Sequence, residues 1–182
     1  MCNAAFKEGE RHRAIVFLAS CPGEHEHIDR RPLSERGKAG KSARELADVL
    51  HQLRKDEWPS ATLDDYTLIN SHPEPRFHGF KGLNRDVDEM EPSIEQVLAP
   101  ENIARLHEEL ARVECSRLVC LGNPAHWCAI ALRLISWPGL TLEPEIIRFP
   151  HPSNPNKPPG GSRHNRRLNW EAHANAHYNG GG

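Results

Sequence analysis

The stretch AIVFLASCPGEHEH, residues 14–27, decides how the rest of the chain is read. Ala14 to Ala19 is an unbroken apolar run of strand length, which suits a strand buried on both faces of a parallel sheet. It empties at once into Ser20-Cys21-Pro22-Gly23 and then into two glutamates and two histidines. A Pro-Gly turn after a buried strand exposes backbone amides, and Glu24 and Glu26 bring carboxylates to a place where a water or a substrate can be activated. A solvated acidic loop is the bland alternative for the same residues.

Outward from this stretch, similar runs recur at Tyr66 to Asn70 (YTLIN), Arg117 to Gly122 (RLVCLG) and Glu145 to Pro150 (EIIRFP). Each ends in Asn, Gly or Pro and gives way to a polar segment. Between them, Ala43, Leu46, Leu50 and Leu53 fall at helical spacing, and Ile103, Leu106, Leu110 and Val113 repeat it, so both segments read as amphipathic helices. A third helix is predicted over Pro124 to Ser136 and a fourth from about Arg163 to His177. Strands alternating with helices predict an α/β fold: a three-layer α/β/α arrangement with a central, mainly parallel four-stranded sheet, in one domain over residues 1–182. Ligands bind such sheets at the carboxyl ends of the strands, where all the polar exits fall.

Composition narrows the function classes. No apolar run approaches the roughly 18 residues of a membrane span, and MCNAAFKEGERHR lacks the apolar stretch of a signal peptide, so a cytoplasmic, membrane-free protein is expected; a monomer is the separate expectation for its assembly. The net charge of −2 argues against coating nucleic acid by bulk charge but leaves room for a local basic surface. Five cysteines are an odd number without a CxxC pair, which reads as reduced, mostly buried thiols. The cluster of Glu24, His25, Glu26 and His27 is dense in metal ligands. Its i, i+2 histidines do not share a helical face and no HExxH is present, so neither a metal nor another cofactor is expected.

The second chemical stretch is Phe149-Pro150-His151-Pro152-Ser153. Two prolines restrict the backbone on either side of the imidazole, and a histidine so fixed can donate to a developing oxyanion. The alternative is an ordinary loop histidine, one of twelve in the chain.

Taken in order, ASCPGEHEHIDRRPLSERGKAGKSARELADVL, Asn70 at the end of YTLIN, the LVCLGNPA strand and turn, and HPS at 151–153 resemble the uracil-DNA glycosylase superfamily over nearly the whole chain. The nearest likeness is to the branch whose first motif reads GEAPG. The resemblance implies hydrolysis of the N-glycosidic bond of a nucleotide flipped out of DNA, because a base inside the stack cannot be reached. It implies that His151 stabilises the departing base and that Asn70, carrying both donor and acceptor, reads the base edge, where a turn cap is its plain alternative. Cys21, Leu33 and Phe77 are then expected to wall the base pocket. The amides of Pro22-Gly23 and the Ser153 hydroxyl would grip phosphates. Lys157, Arg163, Arg166 and Arg167, in a stretch from 151 to 170 without an acidic residue, would face DNA, unless they form a merely solvated basic surface.

The chain departs from the family in its pocket. Members with the GEAPG motif commonly hold an iron–sulfur cluster on four cysteines, two of them close together near the N-terminus; Cys2 stands alone, so no cluster is expected. Ser20 and Cys21 stand where the family places acids or amides that orient the attacking water. A thiol is a poor substitute, so the role passes to Glu24 first, or to Glu26 or Ser20, or is lost. Leu33 replaces the usual stacking aromatic, with Phe77 and Phe80 as candidates to restore it. Asn154-Pro155-Asn156-Lys157 replaces the apolar wedge that many members insert into the duplex. These differences allow a modified pyrimidine as well as uracil, in repair or in defence against phage. Two further classes stay open at this point: a non-catalytic nucleic-acid-binding module on the same fold, and a hydrolase acting on free nucleosides.

Overall fold

The apolar run at residue 14 lies inside the central strand of a five-stranded sheet. The computed structural model of the protein describes residues 4–78, 91–134, 143–153 and 165–179. The strands are β1 (Phe6–Lys7), β2 (His12–Ala19), β3 (Tyr66–Asn70), β4 (Arg117–Leu121) and β5 (Glu145–Phe149), in the spatial order β1-β3-β2-β4-β5. The pairs β2/β3, β2/β4 and β4/β5 are parallel. The expected four-stranded sheet gains β1, which lies antiparallel on the edge of β3 with Phe6 opposite Ile69. At two residues β1 is too short to carry an apolar period, so only pairing with an available strand edge defines it.

Among the described residues, α1 (Glu24–Asp29), α2 (Lys38–Leu53), α3 (Ile94–Val97), α4 (Pro100–Arg112) and α5 (Asn123–Leu134) lie between strands, and α6 (Arg166–Asn179) follows β5. Successive side chains of a strand point to opposite faces, and that alternation divides the core. Phe17, Leu68, Val119 and Ile147 pack with Leu46 and Leu50 of α2 and Trp170 of α6. Val16, Leu18, Ile69, Leu118 and Cys120 pack on the other face with Leu106 and Leu110 of α4 and Ala129 of α5. The three α/β/α layers follow directly, each fully buried large apolar side chain contributing about 1.5–3 kcal/mol. Helix α6 is described from Arg166, and just before it Asn165 Oδ1 accepts the Leu168 N–H at 3.1 Å; the predicted start at Arg163 lies outside the described residues.

The chain passes from β2 to β3 through α2 on one face and from β3 to β4 through α3 and α4 on the other. The connections therefore diverge between β2 and β4, and the crevice this opens lies at the carboxyl ends of the strands.

Candidate active site

Helix α1 starts directly after Cys21-Pro22-Gly23 and turns the two glutamates to different tasks. Glu24 is exposed, while Glu26 is 7% exposed and points back into the fold. Its Oε2 accepts the Gly23 N–H at 2.9 Å and its Oε1 accepts the Leu33 N–H at 2.6 Å. Burial pushes its pKa above the usual carboxylate range, opposed by those two amides and by the Asn70 side chain. Glu26 thus ties both ends of the loop from 23 to 33 to one carboxylate. Leu33, at φ 48°, is held in a left-handed conformation, and its carbonyl accepts from Arg44 Nη1 at 2.8 Å.

Asp64 fixes the back of this loop by pairing with Lys7, Arg31 and Arg44. Gly40 brings α2 against it, since a Cβ at that position would overlap the carbonyl oxygens of Leu33 and Ser34. Arg76, fully buried at its side chain, closes the opposite side. It donates to the Glu91 carbonyl at 3.3 Å and to Gln96 Oε1 at 2.9 Å, and its backbone N–H donates to the Pro22 carbonyl at 2.8 Å.

These elements enclose a cavity of about 320 Å³, whose wall includes Cys21, Glu24, Glu26, Leu33, Phe77 and His151. That is within the range of small-molecule sites, roughly 300–1,000 Å³. Burial pushes the Cys21 thiol up to about 12, so it lines the cavity as a neutral thiol. Phe77 presents an aromatic face, with its ring centroid 6.0 Å from that of His27. Gly37, Lys38 and Ala39, at the start of α2, complete the wall beside Leu33.

His151 follows β5 on the far side. Its Nδ1 lies 2.7 Å from the Ser153 hydroxyl and accepts the Ser153 backbone N–H at 3.3 Å. A backbone N–H can only donate, so the neutral ring carries its proton on Nε2. Burial holds the His151 pKa below the ordinary histidine value, with Glu91 opposing in part. A second cavity of about 370 Å³ adjoins the first through Glu91, His151 and Ser153 and is walled by Gly122, Asn123 and Arg148. Arg148 donates to Asn123 Oδ1 at 2.8 Å there.

The structure therefore brings Cys21, Gly23, Glu24, Glu26, Leu33, Phe77, His151 and Ser153 to one cavity. Pro22 is buried in the same turn. Asn70 does not line that cavity but reaches Glu26 of its wall: it is fully buried, its Nδ2 donates to the Ala4 carbonyl at 2.9 Å, and its Oδ1 has no partner among the described residues. Arg166 pairs with Glu45, and Arg167 pairs with Asp48 and Glu171 and donates to Gln52, so both fasten α6 to α2. The basic stretch carries no acid in sequence; the matching acids are Glu45 and Asp48 of α2 and, for Arg167, also Glu171 one turn on in α6. Lys157, Arg163, Phe80, the 154–157 segment and Cys2 lie outside the described residues. The four described cysteines are free, and among the described residues no three His, Cys, Asp or Glu side chains are grouped as a metal site. Sequence reasoning missed Gly122 and Glu91, whose only local signals are a strand-ending glycine and one acid among many.

The family model of the uracil DNA glycosylase superfamily matches residues 6–176 of the 182. No curated protein matches the chain.

Proposed function

The chain belongs to the uracil DNA glycosylase superfamily, and on that premise we propose that it is a monofunctional DNA glycosylase. It takes a flipped uracil or modified pyrimidine into the first cavity and hydrolyses the N-glycosidic bond, leaving an abasic site. Membership supports a glycosylase-type activity on DNA; the target base, and action as a cytoplasmic monomer, are the finer parts of this reading. So is the likeness to the GEAPG branch. No described helix is long and apolar enough to cross a membrane.

The observation that carries the proposal is the bond from the Ser153 N–H to His151 Nδ1. It leaves an Nε2–H in the cavity wall as a neutral donor. As the bond between sugar C1′ and the base nitrogen breaks, its electron pair stays with the base, and a base oxygen accepts from Nε2–H. Positive charge develops on the sugar, a water oxygen bonds to C1′, and a carboxylate takes the water's proton. Glu24 is assigned that last role. It lines the cavity and is exposed, whereas both oxygens of Glu26 are engaged by backbone amides.

Asn70 is assigned the base edge. Its Oδ1 is buried without a partner among the described residues, and its side chain bonds Glu26 of the wall; the reading makes this oxygen the acceptor for a donor such as the N3–H of uracil. The reading includes a substituted pyrimidine of the kind that phage DNA carries, and with it a defence role beside repair; Gly37 and Ala39 put small residues beside Leu33 in the wall that such a base would face. Phosphates are assigned to the region of Ser153, with Lys157 and Arg163 adding charge; Pro22 has no N–H and the Gly23 N–H is taken by Glu26 Oε2, so that turn offers no free amide.

The test is incubation with oligonucleotides carrying uracil and with phage DNA carrying modified cytosine, followed by alkali to cleave abasic sites. Cleavage by the wild type that disappears in His151→Ala supports the reading. Binding without cleavage on every substrate would replace it with the non-catalytic module, for which Ser20-Cys21 in place of a water-orienting acid is the motivating observation.

A further inference from the structure

Strands β4 and β5 run parallel with Leu121 opposite Phe149, so the residues that follow them leave the sheet side by side. The Gly122 N–H donates to the Phe149 carbonyl at 2.9 Å, carrying the pairing one residue past the strand. There the backbone turns at φ 92°, a conformation open to glycine and resisted by other residues. A Cβ built on Gly122 would stand 3.2 Å from His151 Cβ and 3.3 Å from its Cδ2. Carbon atoms pack without repulsion at about 3.5–4.0 Å, so a side chain at 122 must push the ring away.

The ring has little freedom to move without consequence. On its other edge, Nδ1 is held by the Ser153 hydroxyl at 2.7 Å and the Ser153 N–H at 3.3 Å. The second of these bonds is already at the long end of the hydrogen-bond range, so a shift of a few tenths of an ångström is enough to release it. Pro150 and Pro152 keep the backbone from following the ring. Releasing the N–H removes the constraint that keeps the proton on Nε2.

We propose that Gly122 is a positioning residue for His151: the space left by its missing side chain sets where the imidazole stands and which of its nitrogens carries the proton. The inference rests on the reading of His151 as the donor to the departing base, and it adds a residue from a different strand to that function.

A measurement that needs no substrate is nitrogen-15 NMR of the imidazoles, with His151 assigned by comparison with His151→Gln. The wild type should show one neutral Nε2–H form at His151, and Gly122→Ala a mixture of the two tautomers. On whichever oligonucleotide the wild type cleaves, Gly122→Ala should lower the single-turnover rate about 10- to 100-fold. It should leave affinity for an abasic-site oligonucleotide within about twofold, and in a His151→Ala background it should lower the rate no further.

Unchanged His151 resonances in folded Gly122→Ala overturn the proposal. If Gly122→Ala does not fold, Gly122→Asn adds the same Cβ with a residue that tolerates positive φ and is read the same way. A His151→Ala variant that cleaves at the wild-type rate overturns the role of His151 instead, and the tautomer measurement still decides whether Gly122 places the ring.

Discussion

Ser153 meets His151 at a single nitrogen with two groups, its backbone N–H at 3.3 Å and its hydroxyl at 2.7 Å from Nδ1. A residue first read as a phosphate grip is thereby also the group that sets the tautomer of the proposed leaving-group donor. The hydroxyl can rotate to donate or accept, but the amide cannot, so the amide alone dictates the proton's place. Ser153→Ala should therefore keep the tautomer and lower the glycosylase rate by only about tenfold, against 10²–10³-fold for His151→Ala. Single-turnover rates on one cleaved oligonucleotide compare the two.

The burial of His151 carries a pH signature. Its pKa is held below the ordinary value, so the neutral donor persists as pH falls through the usual histidine range near 6.5, and the rate should fall only at lower pH. The stability consequence has a definite sign. Because the folded value is depressed, the unfolded chain takes up the proton first, and stability present above the unfolded value is lost as pH falls toward and through the folded one. Melting temperatures of the wild type and His151→Gln, compared from pH 8 to pH 4, should diverge in that window to the disadvantage of the wild type.

Glu26 is expected to act on stability before chemistry. Glu26→Ala leaves the Gly23 and Leu33 amides without an acceptor, at about 1–3 kcal/mol for each donor that stays buried. Urea unfolding should show a loss of about 2–5 kcal/mol for Glu26→Ala and less for Glu26→Gln, which retains one acceptor oxygen. A Glu26→Gln protein with wild-type stability and a rate lowered more than about 100-fold would instead make Glu26 the carboxylate of the reaction.

Asp64 gathers Lys7, Arg31 and Arg44 behind the Leu33 loop while remaining partly exposed. Exposed pairs are worth about 0.2–1 kcal/mol each, so Asp64→Ala should lower stability by only about 1–2 kcal/mol. The larger effect should be on the cavity, because Arg44 also holds the Leu33 carbonyl. Steady-state kinetics should show KM rising more than kcat falls.

Arg166 and Arg167 are matched by Glu45, Asp48 and Glu171. Arg166→Ala should lower the melting temperature slightly and leave the salt dependence of DNA binding unchanged. A residue that neutralises a phosphate would reduce the slope of log affinity against log salt by about one on substitution. Binding titrations at several salt concentrations distinguish the two outcomes.

Much of the architecture was legible in the chain. Short apolar runs marked the four parallel strands, unbroken at residues 14–19 but interrupted by Thr67 in β3 and by the exposed Arg148 in β5, and helical spacing marked α2 and α4, because burial writes a local pattern. Strand β1 left no such mark, being two residues paired to a distant edge. The site was legible as stretches rather than roles. CPGEHEH and HPS stood out because a strand must empty into something, and polar groups at a strand exit are exposed to a ligand.

What the sequence by itself determined was the order of strands and helices, and with it the sheet edge where Cys21, Glu24 and His151 would meet. Those are consequences of hydrophobic periodicity and turn chemistry, which act between near neighbours. Only the tertiary structure decided which glutamate faces inward, since α1 is a single short helix whose period cannot distinguish Glu24 from Glu26. It alone set Gly122 against His151, and it alone matched Arg166 and Arg167 with acids from α2. Contacts between residues far apart in the chain depend on how layers pack, and packing leaves no trace in local spacing.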